Sequence, residues 1–343
     1  MTGIGMIELQ ANQPAARPYR GGSGIARFRG ATQPDAFRPE DFLGSTTEVH
    51  AGGGVGLTRL PDGRLLRDAI AADPIGFLGT ATPRGDAGES GLLTKLLSTD
   101  ERLFVHAHPT DEFARTHELG CVGKTESWFV LDVAPGADPY VLLGFAREVA
   151  PTELADWFEG QRVTDMVAAM HRVPVAPGDT FHVPAGLPHG IGPGLTLVEL
   201  QQPADLSILL EYSGFPGLDR DAALLGMPRD RALAAIRREA IAAEELAGLR
   251  ANRPEAGRVQ RLFPAAADPF YSAERVRPGR TETTLRAGFA IIVVRAGVGA
   301  IRTTRGAITA APGSVFLARH DAGELRIGPD LDLIVCRPAE GSV

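Results

Sequence analysis

The sequence predicts a mainly β protein with two β-rich blocks separated by helices. Short apolar runs bounded by turn residues recur along most of the chain, and this pattern is typical of strands. Glycine (41 residues) and proline (26 residues) are spread between these runs instead of being collected in one tail. From about residue 219 to 252 the composition shifts to Ala, Leu, Arg and Glu with apolar residues at helical spacing, which indicates a helical spacer.

Five candidate strands make up the first block. Each is rich in β-branched, aromatic or other large apolar residues, and turn sequences such as APGAD and APGD lie between them. The candidates are LFVHAH (103–108), SWFVLDV (127–133), YVLLGF (140–145), TFHVP (180–184) and LTLVEL (195–200). An alanine-rich amphipathic stretch at 150–172 interrupts this series and predicts a helical insertion.

The β pattern returns after the spacer. Its candidate strands are FAIIVVRAG, GAIRTT, AITAAPG, SVFLAR and LDLIVCRP. We therefore predict a first domain at 1–215 that contains the insertion, a helical spacer at 216–257 and a second, smaller β domain at 258–343.

Composition excludes several classes of function. Lys plus Arg number 35 and Asp plus Glu number 42, so the formal charge of -7 argues against an electrostatic nucleic-acid binder. No apolar stretch approaches the roughly 18 to 20 residues that a membrane helix needs. Two cysteines cannot form a disulfide framework, which favours a reducing compartment. We expect a soluble cytoplasmic protein that acts on a small molecule; the oligomeric state is not predicted.

Two motifs indicate a metal site. In VHAHP (105–109), His106 and His108 fall on one strand face because side chains alternate along a strand. In PGDTFHVPAGLPHG (177–190), the spacing G-x5-P-x-G-x2-H ends at His189 and resembles the second signature of cupin barrels. That resemblance implies two double-stranded β-helix (jelly-roll) barrels. Three imidazoles in one barrel mouth suit zinc, iron, manganese, nickel or cobalt.

The residues alone leave two carboxylates as candidates for the fourth ligand. Glu112 follows His108 by four positions, which is the spacing of a general cupin motif, whereas Glu126 lies in GKTESW (123–128).

Four blocks in order resemble class I phosphomannose isomerases, particularly their short bacterial form. They are TKLLSTDERLFVHAHPTDEFA, GKTESWFVLDVAPGA, VPVAPGDTFHVPAGLPHGIG and VELQQPAD, and they cover about residues 85–210. The resemblance implies that Glu126, not Glu112, is the fourth ligand and that zinc is the metal. It also implies an aldose-ketose isomerase that interconverts mannose 6-phosphate and fructose 6-phosphate through an enediol intermediate.

The same resemblance implies roles for other residues. Lys124 matches a lysine near the substrate oxygens, and Glu199 and Asp205 match acidic residues of the pocket that could transfer protons. Lys95, in LLTKLLS, matches a lysine that could meet the substrate phosphate. Trp128 is interpreted as a structural aromatic residue.

The chain departs from the family at two places. The first metal-site strand normally reads Q-x-H, but here His106 replaces the amide. Four residues after Asp205, where the family usually has an arginine, this chain has Leu209. The alternatives are therefore an isomerase for a different and even unphosphorylated sugar, another metal-dependent cupin enzyme such as an oxygenase, or a sugar-binding protein without catalysis.

The second β block repeats only part of the metal motif. APGSVFLARHDAGEL (311–325) keeps the PG-x-x-F frame, but Arg319 stands at the place of Pro184 and Leu325 lies where a histidine would be sought. His320 has no histidine near it in this block. We predict a degenerate second barrel that holds no metal.

Overall fold

The computed structural model describes residues 5–32, 35–80, 87–250 and 257–339. The strands are β1 (Met6–Glu8), β2 (Glu40–Leu43), β3 (Leu93–Ser98), β4 (His106–Ala107), β5 (Glu126–Val133), β6 (Tyr140–Phe145), β7 (Met170–Pro174), β8 (Thr180–Val183), β9 (His189–Ile191), β10 (Leu195–Gln201), β11 (Ile208–Leu209), β12 (Val259–Arg261), β13 (Tyr271–Val276), β14 (Thr283–Leu285), β15 (Ala290–Ala296), β16 (Gly299–Thr303), β17 (Gly306–Ala310), β18 (Val315–Ala318), β19 (Leu325–Ile327) and β20 (Asp332–Pro338). The prediction of a mainly β chain is confirmed.

Helices are short and lie between or beside the strands. They are α1 (Ser23–Arg29), α2 (Leu66–Ala72), α3 (Pro74–Leu78), α4 (Asp111–Thr116), α5 (Pro151–Gly160), α6 (Val163–Ala168), α7 (Arg220–Ala223), α8 (Arg229–Leu233) and α9 (Ala243–Leu249), with 3-10 turns at Ala265–Ala267 and His320–Ala322. None of the helices in the described ranges is long and apolar enough to cross a bilayer.

Strands β2 to β11 form the first β unit, which consists of two five-stranded sheets. Their strand orders are β2-β3-β10-β5-β8 and β11-β4-β9-β6-β7. The predicted insertion at 150–172 forms α5 and α6, and its last residues enter strand β7, which pairs with β6. A large apolar cluster that includes Trp128, Leu197 and Phe181 fills the space between these sheets.

The second β unit contains a six-stranded sheet, β1-β18-β15-β20-β13-β12, and a four-stranded sheet, β14-β19-β16-β17. Its edge strand β1 comes from the N-terminal end of the described chain, because Met6–Glu8 pairs antiparallel with β18. The second unit is therefore assembled from both ends of the chain, although the sequence pattern put residues 1–215 in the first domain.

A second apolar cluster joins the two units face to face. From the first unit it contains Phe129 and Val198, which point away from the barrel interior, and from the second unit Ile291 and Val293. Such close burial of two sheet faces removes apolar surface from water and fixes the relative position of the units. The predicted spacer at 216–257 contains α7, α8 and α9, and its residues 251–256 lie outside the described ranges.

Candidate metal centre and active site

Three histidines come together between two neighbouring strands. His106 on β4 is the direct antiparallel partner of His189 on β9, and His108 follows two residues after His106. The ring centroids of His106 and His189 are 4.1 Å apart, and each lies 4.9 Å from the ring of His108. All three side chains are buried, and one nitrogen of each lies within 4.8 Å of the others. Among the His, Cys, Asp and Glu side chains in the described ranges, these three histidines form the group whose ligand atoms lie close enough together to hold one metal ion.

Each imidazole has its Nδ1 atom beside a backbone carbonyl oxygen. The acceptors are Phe104 for His106 at 3.1 Å, Leu206 for His108 at 2.8 Å and Leu187 for His189 at 2.8 Å. A carbonyl oxygen only accepts, so each Nδ1 carries the proton and each Nε2 presents a lone pair in the neutral ring. A hydrogen bond from the ring nitrogen that does not face the metal is the usual way in which metal-binding histidines are oriented.

Glu126, the first residue of β5, places both carboxylate oxygens against these lone pairs. Oε2 is 3.0 Å from His108 Nε2, and Oε1 is 3.2 Å from His189 Nε2. Burial is the main cause that lowers the pKa of His108, to about 3, so the ring is neutral at pH 7. His189 Nε2 is buried and makes no hydrogen bond of acceptable geometry. Lone pairs therefore face carboxylate oxygens, an arrangement that requires a positive charge between them.

Lys124 supplies one such charge. Its Nζ donates to Glu126 Oε2 at 2.6 Å and to His108 Nε2 at 2.8 Å. Burial alone would raise the pKa of Glu126, but the Lys124 ammonium and the contacts with His108 and His189 together outweigh burial and hold the pKa well below the usual range. The three histidines lie close enough to share one cation, and Glu126 lies against His108 and His189. This 3-His-1-carboxylate donor set fits a divalent metal ion.

Two other residues from the sequence analysis lie elsewhere. Glu112 is exposed in the first turn of α4 and is not among the residues that meet at the metal centre. Leu209 on β11 pairs with His106 through the backbone, and its buried side chain belongs to the apolar core of the first β unit. The position where the family has an arginine therefore serves packing in this chain.

A cross-strand row carries three polar side chains beside the metal centre. Antiparallel pairing places Glu199 of β10 opposite Lys95 of β3 on one side and Trp128 of β5 on the other. The indole N–H of Trp128 lies 3.0 Å from Glu126 Oε1 and 3.3 Å from Glu199 Oε1. Trp128 thus orients two carboxyl groups, a role that the sequence analysis missed. The alternation of positions 124, 126 and 128 could have revealed it, because alternate residues of a strand share a face.

Glu199 and Asp205 have opposite protonation tendencies. Burial, reinforced by the charge of Glu126, raises the pKa of Glu199 to about 8. Burial also opposes the ionisation of Asp205, but Lys95 and Arg17 outweigh it and lower its pKa to about 2. At neutral pH Glu199 is therefore largely protonated and Asp205 is ionised, the separation expected of acid-base pairs.

Lys95 is buried among these groups. Its Nζ lies 3.2 Å from Glu40 Oε1, 3.7 Å from Asp205 Oδ1 and 4.5 Å from the centre of the Phe42 ring. Burial would lower the pKa of Lys95, but the two carboxylates raise it above its ordinary value, so the side chain remains charged.

Sequence reasoning missed three further residues of the site. Arg17 and Tyr19 from the N-terminal segment and Glu40 from β2 line one small cavity together with the residues of the metal centre. The cavity has a volume of about 50 Å³ in this structure, enough for one or two water molecules. Arg17 and Tyr19 lie in an irregular stretch without periodicity, so no sequence signal indicates where their side chains point.

The second β unit uses the corresponding motif for packing. Arg319 forms ion pairs with Asp73 and Asp321 and lies 4.3 Å from the ring centre of Phe77 on α3. Leu325 is buried in the apolar cluster of the second unit.

Known proteins resemble the chain in part of its sequence and in its fold. No protein-family profile matches the chain. A segment of 119 residues, 35% of this chain, is 39% identical to mannose-6-phosphate isomerase ManA of Bacillus subtilis and spans 36% of that protein. The matched part is thus about a third of the relative's length.

Solved structures match over nearly the entire chain. The mannose 6-phosphate isomerase from Bacillus subtilis superposes with a TM-score of 0.75 at 20% identity, covering 97% of this chain and 99% of that one. A mannose 6-phosphate isomerase bound with zinc and yttrium superposes with a TM-score of 0.75 at 16% identity and covers 98% of this chain and 100% of the other. The chain therefore has the cupin fold of the phosphomannose isomerases and resembles their sequence over about a third of its length.

Proposed function

We propose that the protein is a zinc-dependent aldose-ketose isomerase that interconverts mannose 6-phosphate and fructose 6-phosphate. The observation that carries this proposal is the cluster of His106, His108 and His189 with Glu126 against two of them, at a cavity that also contains two carboxyl groups with separated pKa values. The matched segment of the Bacillus subtilis relative and the zinc bound by one structural neighbour support the choice of substrate and metal.

The reaction moves one proton between C1 and C2 and another between the oxygens on these carbons. A divalent cation in the centre would act as a Lewis acid for the negative charge that develops on O1 and O2. Glu199, with a pKa of about 8, is suited to exchange a proton near neutral pH, because a catalytic group works best when its pKa is close to the working pH.

Asp205 and Lys124 have complementary tasks in this proposal. The ionised carboxylate of Asp205, held by Lys95, accepts hydrogen bonds from sugar hydroxyls and aids proton transfer. The ammonium group of Lys124 bonds to Glu126 and His108 in this structure. When a metal takes the lone pair of His108 Nε2, this ammonium group is free to donate hydrogen bonds to substrate oxygens beside the centre. Lys95 keeps Asp205 charged and adds positive potential for an anionic substrate.

The charge balance of the pocket favours a phosphorylated sugar. The lining side chains that are charged at pH 7 are three cations, Arg17, Lys95 and Lys124, and three anions, Glu40, Glu126 and Asp205. Their sum is zero, so a divalent cation leaves an excess of two positive charges. A phosphate monoester carries about -1.5 to -2 at neutral pH and neutralises that excess.

Metal analysis and turnover of His189→Ala test the proposal. The substitution removes one ligand and its anchored imidazole, so we expect zinc content near zero and a loss of turnover of at least about 10³-fold, with the circular dichroism spectrum unchanged. His117→Ala is the matched control, because His117 packs against Phe113 and lies outside the centre. It should keep full zinc content and activity.

Other outcomes separate the competing functions. Zinc-loaded protein that binds mannose 6-phosphate in calorimetry without converting it would indicate a binding protein. Turnover that requires dioxygen and iron would indicate an oxygenase. Conversion of free mannose at the same rate as mannose 6-phosphate would contradict the assignment of a phosphorylated substrate.

A further inference from the structure

Arg17 is held firmly at the edge of the active-site cavity. Its backbone N–H donates to the carbonyl oxygen of Phe37 at 3.2 Å, and its side chain is only 20% exposed. Its Nε faces the carboxylate of Glu40 in an ion pair, and Glu40 is itself buried and bonded to Lys95. The backbone of Arg17 is thus held by Phe37, and its guanidinium group is held by Glu40.

The outer end of this guanidinium group retains donors. The contact that fixes it joins Nε to Glu40, and neither terminal nitrogen donates a hydrogen bond to another residue in the described parts of the chain. A buried arginine normally uses its Nη groups in a bidentate bond to an anion. Arg17 lines the same cavity as Glu199, Asp205 and Lys124.

The position of Arg17 at the cavity matters because residue 209 is a leucine and not an arginine. Because Leu209 is buried in the apolar core, β11 brings no guanidinium group to the pocket. We propose that Arg17, from the N-terminal segment, binds an anionic oxygen of the substrate and provides the active-site guanidinium that β11 lacks. This inference rests on the proposed function, because it concerns the substrate of that site.

Two parts of the substrate carry negatively charged oxygens that an arginine could bind. One is the phosphate group, which an arginine binds in the bound state and in the transition state alike. The other is the oxygen that becomes negative as the enediolate forms, which an arginine binds more tightly in the transition state. The steady-state constants separate these sources, because uniform binding affects KM and transition-state binding affects kcat.

Glu40 acts as a positioning residue for Arg17. Its buried carboxylate lies between Arg17 and Lys95, and these two cations outweigh burial to hold its pKa below the usual range. A permanently ionised Glu40 fixes Nε of Arg17 and leaves the two Nη groups for the substrate.

Arg17→Met and Arg17→Lys test the proposal, with Arg20→Met as the control. Arg20 lies three residues along the same segment, but its side chain is exposed and packs near Phe37 outside the cavity. We expect Arg17→Met to lower kcat/KM for mannose 6-phosphate by about 10²- to 10³-fold, as for loss of an anion-binding donor. Arg17→Lys should recover only part of this loss, since an ammonium group cannot form the paired contact. Arg20→Met should stay within about 2-fold of the wild type.

Whether the loss of kcat/KM lies in KM or in kcat identifies the substrate oxygen that Arg17 binds. A rise in KM at constant kcat, with weaker binding of inorganic phosphate in calorimetry, assigns Arg17 to the phosphate. A fall in kcat at constant KM, with phosphate binding unchanged, assigns it to the enediolate oxygen. Zinc content should equal that of the wild type in both variants, because Arg17 contacts none of the four ligands.

A value of kcat/KM for folded Arg17→Met within 2-fold of the wild type would overturn the inference. If Arg17→Met does not fold, full activity of folded Arg17→Leu would do the same. Absence of turnover in the wild type contradicts the proposed function instead, and the inference then depends on calorimetry of zinc-loaded protein with mannose 6-phosphate and fructose 6-phosphate. In that case equal affinity in wild type and Arg17→Met, or no binding to either protein, overturns it.

Discussion

The carboxyl groups of Glu199 and Asp205 illustrate how much a residue depends on its surroundings. They are six positions apart in the chain, yet the pKa of one is raised to about 8 and that of the other is lowered to about 2. Glu199 is buried and the side chain of Asp205 is 15% exposed, and burial favours the neutral form of each. The difference arises because Asp205 has Lys95, Arg17 and Lys124 nearby, whereas Glu199 also feels the negative charge of Glu126.

We expect Asp205→Asn to destabilise the metal-free protein in a pH-dependent manner. The folded-state pKa of about 2 lies below the ordinary value, so the stabilising contribution of Asp205 is complete above about pH 4 and is lost as the pH falls toward 2. At pH 7 the substitution should lower the free energy of unfolding by roughly 2 kcal/mol. Urea unfolding between pH 7 and pH 3 measures this difference, which should shrink toward acid pH.

The control for this prediction is Asp230→Asn, whose carboxylate is exposed on α8. Its effect on stability should be small at each pH. A loss of stability for Asp205→Asn that is equal at pH 7 and pH 3 would contradict the electrostatic explanation.

At the scale of elements, strand β5 connects the metal centre with the packing between the two units. Glu126 and Trp128 face the interior of the first unit, whereas Ser127 and Phe129 face the second unit. Position 126 can therefore serve the metal only if the strand keeps its register with β8 and β10, which is set by the large apolar residues on both faces.

Trp128→Phe tests the role of this strand in orienting the ligands. The substitution keeps an aromatic ring but removes the N–H that bonds to Glu126 and Glu199. We expect zinc affinity to fall by about 10- to 100-fold, the usual effect of losing a group that orients a ligand. Competition with a chromogenic chelator measures the affinity.

Trp157→Phe is the matched control, because Trp157 is buried in α5 outside the metal centre. It should leave zinc affinity unchanged. If Trp128→Phe and Trp157→Phe bind zinc equally well, the indole N–H of Trp128 does not orient the carboxylates.

At the scale of the whole molecule, a buried polar contact accompanies the apolar packing of the two units. Tyr271 of β13 bonds through its hydroxyl to Ser127 Oγ at 3.0 Å, and Ser127 Oγ is also 3.0 Å from His182 Nδ1. Ser127 is the residue directly after Glu126. The second unit thus contacts the outer face of the strand that carries Glu126, the proposed fourth ligand.

We expect Tyr271→Phe to lower the free energy of unfolding by about 1 kcal/mol, the typical contribution of one buried hydrogen bond. Urea denaturation of the metal-free protein measures the change. Zinc content should be unaffected, since Ser127 keeps His182 as a partner. Tyr140→Phe, at a half-buried ring near Arg172, is the control and should have a smaller effect. Equal stability of Tyr271→Phe and the wild type would exclude this contact as a stabilising link.

Local patterns in the sequence predicted a large part of this structure. Strands β5, β6, β8 and β10 coincide closely with the predicted runs, because period-two alternation and turn residues are local signals. The run predicted at 103–108 forms a strand only at His106–Ala107, since the short partner strands β9 and β11 limit its pairing. The joining of β1 to the second unit was not predictable, because pairing over more than 300 residues leaves no local pattern.

By itself, the sequence determined the strand-rich architecture, the spacing that prepares His106, His108 and His189 for one metal, and the resemblance that favours Glu126. Only the tertiary structure decided that Arg17, Glu40 and Trp128 belong to the same site, and that Leu209 belongs to the core. The physical reason is that alternation along a strand is set by the backbone, whereas the charges and hydrogen bonds of a pocket depend on distant segments that meet only after the sheets have packed.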